Sequence, residues 1–382
     1  MRTEIICEKE RFNQLAGQWD SLTTGAWPLS PALSHEWFSC WIEAFGRKTR
    51  LSLVTLFEGD TLMAVAPVCA VGGTYRAVPC AQLRFLYNRH APRCAFLVRE
   101  GRSELARLLV RETLRLPGWD LVVLENVPHG SLLFELARDE ASSGGFLFLS
   151  RETMSSPFLR MTGPWQEFFD SRPRNLRRSL HNKENRISEA GKVEVEHITD
   201  AGAAAAAMAT LFRIGDASWK ASRGRAIGSD PESRKFYALL AERFGSRGEL
   251  SVWLMRLNGE PVAFEFHITR EKRVQALRAE FDEKRRDLGV GSVLDKEIIR
   301  RLFELGFEEY DMGGEADFYK LRWTAEVTRH SELLFFGKSW KGRLLHAVES
   351  RVVEPAKKVL KPRPSGPQDS AESPNPAGTR SA

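Results

Sequence analysis

The chain has no apolar run near the length of a bilayer-spanning helix, so a soluble globular protein is expected. Its start, MRTEIICEKERF, has no apolar h-region after the basic residue, and cytoplasmic residence follows as the default expectation. Cysteine is scarce and odd in number. Cys7, Cys40, Cys69, Cys80 and Cys94 form no C-x-x-C, which favours buried free thiols over disulfides or zinc. The eight histidines show no H-x-x-x-H or H-E-x-x-H grouping, so no metal site is expected. There is no G-x-S-x-G elbow and no evident activated cysteine, which argues against a covalent enzyme intermediate. The net charge of +6 is modest for 382 residues, so its distribution matters more than its total. This length can bury a sizeable core and ordinarily makes two domains.

What the chain does have is concentrated between Val274 and Lys320. Alternating Val274, Ala276 and Phe281 give way to helical spacing in Val293, Leu294, Ile298, Ile299, Leu302 and Phe303, so a strand leads into a helix. At the joint stand Arg286, Gly289 and Gly291, an R-x-x-G-x-G loop, and a second strand follows at Glu308 to Met312. A glycine loop that opens a helix points backbone N–H groups outward at a positive helix end, which suits a pyrophosphate. Gly289 and Gly291 are expected to let phosphate approach the backbone, and Ser292 to act as N-cap or hydroxyl donor. The loop lacks the G-K-[ST] of a Walker A motif and the third glycine of a dinucleotide fingerprint.

The chain also repeats itself. Phe45-Gly46 and Phe244-Gly245 are each followed, six residues after the phenylalanine, by a hairpin: LSLVTLFEGDTLMAVAPV and LSVWLMRLNGEPVAFEFHI. Beyond each hairpin comes strand, helix and strand, which in the first half are CAFLVRE, Ser103 to Leu116 and WDLVVLENV. At the loop position the first half has Arg99-Glu100-Gly101-Arg102-Ser103, without the second glycine and with an acid, so the second copy is expected to hold the nucleotide. Trp37 and Trp41, at i and i+4 on the helix before the first hairpin, read as core anchors. His267 alternates with apolar residues in a strand and reads as a satisfied core or edge residue.

With these residues in hand, the second copy resembles motif A of the GNAT acyltransferases. The order of elements from about Phe12 to Trp340 resembles the tandem-GNAT FemAB-like proteins, and in detail the CelD/BcsL-type acetyltransferases linked to cellulose and exopolysaccharide production. The residues that carry this are Pro261-Val262-Ala263-Phe264, Phe281-Asp282, Gly289-x-Gly291, Tyr310 to Gly314, and Tyr319-Lys320-x-x-Trp323. The resemblance implies an α/β fold of two tandem GNAT-like domains, with mixed, hairpin-rich sheets flanked by helices. The expected boundaries are 1–150, 151–340, a basic amphipathic helix at 341–360 and a disordered tail at 361–382.

It also implies direct acyl transfer from acetyl-CoA or another acyl-CoA, without a metal, to an amine or hydroxyl of a small-molecule, sugar or glycan acceptor. The pyrophosphate falls to Arg286, Gly289, Val290, Gly291 and Ser292, and the pantetheine arm to the strand with Leu277, Ala279 and Phe281. Tyr319 is the candidate acid for the leaving thiolate, Lys320 a fixed charge for the carbonyl oxygen, and Asp311 and Glu280 are candidate bases. For either acid, a structural bond to Arg278, Arg322 or Lys320 is an equal reading. Trp219, Lys220, Arg322 and Trp323 are candidates for the acceptor side, Trp219 either stacking on a sugar or sealing the core.

Between the copies, Arg174, Arg177, Arg178, His181, Lys183 and Arg186 make one helical face basic. That face is either simply solvated or a surface for an anion such as a CoA phosphate, a nucleotide-linked sugar, a polyanionic glycan or tRNA. It carries no interleaved aromatics, which leaves tRNA as the one nucleic-acid version, kept open by FemAB-like relatives that use aminoacyl-tRNA. A non-catalytic binding module of an exopolysaccharide system is the third reading. The helix after Trp340 would use Leu344, Leu345, Val348 and Val352 to dock on the domain or touch the inner membrane face.

Overall fold

Two polar-capped helices set the layout of the molecule. In the computed structural model, which describes residues 1–23 and 30–353, Ser34 caps the helix His35–Phe45 by accepting from Trp37 N at 3.3 Å. Asp230 caps Pro231–Ser246 in the same way, through Ser233 N at 2.7 Å. Each begins one half of the chain's repeat.

The first half runs β1 (Arg2–Ile6), α1 (Lys9–Asn13), α2 (Ala16–Leu22), α3 (His35–Phe45), β2 (Arg50–Leu51), β3 (Leu53–Glu58), β4 (Thr61–Ala66), β5 (Val68–Tyr75), β6 (Val78–Phe85), β7 (Leu97–Val98), α4 (Glu104–Arg115), β8 (Leu121–Pro128) and α5 (Leu132–Ser143). A long strand, β9 (Leu147–Arg160), leads to α6 (Trp165–Asp170), α7 (Arg174–Ala190), β10 (Val193–Ile198), α8 (Ala201–Asp216), α9 (Pro231–Ser246), β11 (Leu250–Leu257) and β12 (Glu260–Arg270). The chain then continues through β13 (Arg273–Phe281), α10 (Val290–Glu304), β14 (Glu309–Asp311), α11 (Phe318–Leu321), β15 (Val327–Phe336) and α12 (Trp340–Val348).

Helices α3 and α9 are the matching helices of the two copies, and they pack on each other. The rings of Trp37 and Phe236 meet at right angles with centroids 5.1 Å apart, and Arg243 reaches Glu36, Ser39 and Glu43 across the joint. Trp37 and Trp41 are both buried, as the sequence led one to expect. One apolar core runs from Ile6 through α3 and α9 to Ile268, so the copies share an interior.

The main sheet is continuous across both copies, in the order β10-β11-β12-β13-β14-β9-β15-β8-β6-β5-β2. Its middle is an exchange. β9 pairs along its length with β15 and at its far end with β14, Leu159 opposite Tyr310. β15 then pairs on its other edge with β8. The boundary expected at 150/151 therefore falls inside β9, because each copy's sheet is completed by a strand from the other. A smaller sheet, β1-β3-β4-β7, stands beside it.

The repeat holds for helix and hairpin but shifts after them. The parallel partner of β8 is β6, Gln82 opposite Leu121, just as β13 is the parallel partner of β14. The stretch CAFLVRE instead contributes the two-residue β7, which adds to the small sheet through Val98 and Ala64. Four cysteines are buried and free, while Cys7 is exposed. After α12 the chain makes a π-turn at Glu349–Val353, and Glu349 is gripped by Arg76 (2.7 Å) and Arg151 (3.1 Å). Leu345 is buried, but Leu344 faces solvent. The tail expected at 361–382, and the last residues of the helix expected at 341–360, from 354 on, lie outside the described residues.

Candidate functional site

Strands β13 and β14 run parallel over three rungs, Arg273/Glu309 to Gln275/Asp311, and then part. Past that point the Leu277–Phe281 half of β13 keeps only β12 as a partner. A bulge between Phe266 and His267 bends the pair, and Gly313 turns the chain away after β14. Gly313 has φ +60°, and a Cβ there would stand 2.6 Å from the Ala276 carbonyl oxygen, so no other residue makes this turn unstrained.

Parting strands leave main-chain carbonyls that must find other donors. Two lysines supply them. Lys220 Nζ donates to Ala279 O at 2.7 Å, and Lys320 Nζ donates to Gly313 O and, at 3.3 Å, to Glu315 O. Two ammonium groups thus face one cleft. Burial lowers the pKa of both; Arg278 and Lys320 lower that of Lys220 further, and Glu280 opposes. At the mouth, Tyr319 is 43% exposed with its ring 5.6 Å from the Lys320 ammonium, and Trp219 is 40% exposed with Arg223 5.0 Å above its ring.

Glu280 lies at the cleft wall, 3% exposed. One oxygen accepts from Ile227 N at 3.2 Å, and the other has no hydrogen-bond partner among the described residues. Burial raises its pKa, against the pull of Lys220 and Arg278. Arg278, two residues earlier, donates to Tyr237 OH at 2.7 Å and to His90 Nδ1. His90 comes from the first copy.

Under the cleft is a cluster that the sequence reading missed. Glu265 Oε2 lies 2.7 Å from His267 Nε2 and accepts from Tyr310 OH at 3.1 Å, and burial and the Glu265 charge push the carboxyl of Asp295, from α10, well above its ordinary pKa. The available signal was Glu265 itself, a carboxylate set between Phe264 and Phe266. His267 is the buried, partnered core residue expected, although its Nδ1 has no partner among the described residues.

At the far end of β13 a short 3-10 turn, Glu283–Leu288, leads through Gly289 into α10. Gly289 is left-handed, φ +71°, and is itself the N-cap, so Ser292 lies inside the first turn. The Ser292 hydroxyl accepts from Lys183 Nζ of α7 at 2.7 Å. A Cβ on Gly289 would strike the Lys183 stem at 2.7 Å, and one on Gly291 would press the Phe281 ring at 3.3 Å. The protein's own packing thus constrains Gly289 and crowds Gly291, beside any approach of phosphate to the backbone. The first-turn N–H groups at Val290, Gly291 and Ser292 have no intrahelical partner, while the Val290 side chain is core. Arg186 reaches Asp287 O at 2.5 Å, and Arg322 reaches Asn175 O at 3.1 Å. Among the described residues Lys183, Arg186 and Arg322 form no salt bridge, so the positive end of α10 carries three unneutralised cations. Burial lowers the pKa of Lys183, and Arg322 lowers it further. Arg286, by contrast, is outside this group, exposed and paired with Glu283 at 3.0 Å.

Four expectations are corrected. Asp311 does not face the cleft as a base. Its carboxylate is enclosed by Arg93 of the first copy, Ser156 Oγ (3.2 Å) and Gly313 N (2.9 Å). Trp323 is 2% exposed and packs against Trp165 and Phe169, so it is core and not an acceptor contact. Arg322 lies with the α7 cations and not on the acceptor side. Leu277 also turns away, packing against the core shared with α9.

The equivalent opening in the first copy is filled by its own chain. Beyond the β6–β8 rungs, Cys94 N donates to Asn126 O at 3.1 Å and Asn126 Nδ2 to Pro92 O at 3.5 Å, which lays residues 92–94 along the edge of β8. At the start of α4, Arg102 is neutralised by Glu58 (3.0 Å) and Glu104 (2.6 Å). The segment that fills the slot continues the loop that delivers His90 to Arg278 and Arg93 to Asp311.

Among the described residues no group of three His, Cys, Asp or Glu side chains could hold a metal ion, and no helix is long and apolar enough to cross a membrane. Compared by sequence alone, no curated protein matches the chain. The family model described as acetyltransferase (GNAT) domain matches residues 174–321. Among solved structures, FemX is similar at TM-score 0.58 and 12% identity, over 91% of this chain and 100% of that one. A tandem GNAT protein from the clavulanic acid biosynthesis pathway is similar at TM-score 0.50 and 12% identity, over 88% and 100%. The C-terminal domain of a lysylphosphatidylglycerol synthetase assigned in Agrobacterium fabrum is similar at TM-score 0.53 and 12% identity, over 88% and 97%. At such identities the likeness is one of fold. Residues 174–321 thus match a GNAT acetyltransferase domain model, within a fold similar to that of tandem GNAT proteins.

Proposed function

We propose that the protein is an acyl-CoA-dependent acyltransferase that works by direct attack in a ternary complex, with its one donor site in the second copy. The observation that carries this is the parting of β13 from β14, with Lys220 and Lys320 in the gap and the cationic start of α10 at its end. An extended amide-bearing arm can add to the free edge of β13, and the first-turn N–H groups with Lys183, Arg186 and Arg322 suit the charge of a pyrophosphate.

Each step has a residue suited to it. The Lys320 ammonium, fixed by Gly313 O, is suited to answer the negative charge that grows on a thioester oxygen. Tyr319 is suited to return a proton to the leaving thiolate, since desolvation and then Asp295 and Glu265 keep its hydroxyl protonated. Glu280, with one free oxygen and a pKa raised by burial, is suited to take the proton of the attacking amine or hydroxyl. Two half-exposed rings, Trp219 and Tyr319, at a mouth rich in cations support a sugar or polysaccharide-related acceptor, as in the exopolysaccharide-linked acetyltransferases that the sequence resembles.

The test is calorimetric titration of the full chain with acetyl-CoA and longer acyl-CoAs, followed by turnover on a panel of amino sugars. Saturable binding that Lys183→Met weakens is the expected result. Absence of binding to the folded chain, together with a salt-sensitive complex with aminoacyl-tRNA, would replace this reading with aminoacyl transfer. Donor binding without turnover on any acceptor would support a non-catalytic binding module.

A further inference from the structure

Beyond the three rungs shared with β14, the outer edge of β13 is open, and the register with β12 decides which of its hydrogen-bonding groups face that way. Asp282 N donates to Val262 O at 2.8 Å, so Asp282, Glu280 and Arg278 turn their amide groups towards β12. Ala279 and Phe281, the alternate residues, turn theirs to the open side. An extended chain that adds there needs an N–H for Ala279 O and a C=O for Phe281 N. The first of these places is already taken. Lys220 Nζ donates to Ala279 O at 2.7 Å.

Lys320, the other cation of the cleft, is placed differently. Its ammonium is held by Gly313 O and Glu315 O, past the end of β14 and off the edge of β13. Of the two, only Lys220 stands where an added strand would stand. Its backbone is fixed, because its carbonyl accepts from Arg223 N at 3.2 Å and from Arg225 N at 3.0 Å. Departure from Ala279 therefore asks for a change of side-chain rotamer and no movement of the loop. A second acceptor is at hand. Glu280, the next residue on β13, has a buried Oε1 with no partner among the described residues, and its charge already acts on Lys220.

A bare carbonyl on an open strand edge is costly when buried and adhesive when exposed. A lysine covers it, and an amide N–H can replace the lysine. We propose that Lys220 is a displaceable stopper on the edge of β13, covering Ala279 O in the free protein and yielding that place to an amide N–H of an acyl donor's pantetheine arm. This rests on reading the cleft as the acyl-CoA site. Removal of a cation ordinarily weakens the hold on an anionic ligand. Removal of this one takes away a competitor and should strengthen it.

The experiment is calorimetric titration of the full-length protein and of Lys220→Met with acetyl-CoA and with ADP, which has a pyrophosphate and no arm. In Lys220→Met, acetyl-CoA should bind about tenfold more tightly, the worth of one hydrogen bond to a charged group, and ADP within about twofold of the wild type. Lys320→Met should show no such gain. Acetyl-CoA affinity unchanged or lower in Lys220→Met overturns the proposal, and so does an equal gain for ADP. Should Lys220→Met not fold, NMR of the wild-type chain decides. The Lys220 side-chain signal, assigned by its loss in Lys220→Arg, should move on saturation with acetyl-CoA and stay in place with ADP. A signal unmoved by acetyl-CoA, or moved as far by ADP, overturns the proposal. If the folded wild-type chain does not bind acetyl-CoA, the functional reading falls and this inference with it. If it binds and Lys220 does not respond, the inference alone falls.

Discussion

Arg93, in the segment that fills the first copy's slot, forms an enclosed ion pair with Asp311 at the end of β14 in the second copy. Both side chains are almost fully removed from water. Removal of one partner would leave a buried charge uncompensated, so Arg93→Leu should cost about 3–5 kcal/mol of folding stability. Arg93→Leu with Asp311→Leu should recover most of it. Urea unfolding of the three variants measures this, and a double variant no more stable than the single would show that the pair does more than hold the copies together.

Lys320→Met should lower kcat by roughly 10²–10³-fold, the range for removal of one donor to a developing oxyanion. Affinity for acyl-CoA should stay within a few-fold, because the donor's anionic end is held elsewhere. Equal losses in kcat and in donor affinity would remove Lys320 from the transition state and make it a binding residue.

Lys183 bonds Ser292 at the start of α10 and has no ion pair among the described residues. Lys183→Met should weaken acyl-CoA binding by about 1.5–3 kcal/mol, the worth of a hydrogen bond to a charged group. The salt dependence of binding should also become shallower. Calorimetry at two ionic strengths measures both, and unchanged binding would place the anion elsewhere.

The titration should saturate at one acyl-CoA per chain. Residues 92–94 already line the edge of β8, and Arg102 at the start of α4 is taken up by Glu58 and Glu104. A stoichiometry of two would mean that this segment leaves the slot.

Acid should destabilise the fold through its buried imidazoles. Burial pushes His90, His267 and His330 down to about 3 and His197 to about 4, below the ordinary value of 6.5 in the unfolded chain. The unfolded chain therefore binds more protons below pH 6.5. The stability contributed by these groups is full above 6.5 and is lost as pH falls towards 4, at up to about 1.4 kcal/mol per pH unit for each imidazole. Urea midpoints at pH 7 and pH 5 measure the slope, and His330→Phe should make it shallower. An unchanged slope would mean that His330 reaches water when it protonates.

The parts that were legible in the sequence are those with a local cause. The helix and hairpin of each copy were visible in the repeated spacing after Phe45 and Phe244, and the start of α10 in R-x-x-G-x-G. Lys320 stood out beside an aromatic, and the structure puts its ammonium at the cleft. Asp311 and Trp323 were misread for one reason. Each is polar or aromatic at the right distance from the loop, but Asp311 is claimed by Arg93, 218 residues earlier, and Trp323 by Trp165 and Phe169. The strand equivalent to β13 was placed at CAFLVRE because apolar runs look alike, and only the parallel register of β6 with β8 separates them.

By itself the sequence determined two copies of one supersecondary unit, a glycine-opened helix in the second and a basic helix between them, since periodicity and turn chemistry act over a few residues. Only the tertiary structure decided that β9 and β15 change places, that one slot is filled and the other open, and that Glu265 meets His267 and Tyr310 beneath the cleft. Those outcomes depend on which charges and strand edges meet across long separations. Burial makes an unpaired charge or carbonyl costly, and so fixes each meeting once the chain has closed.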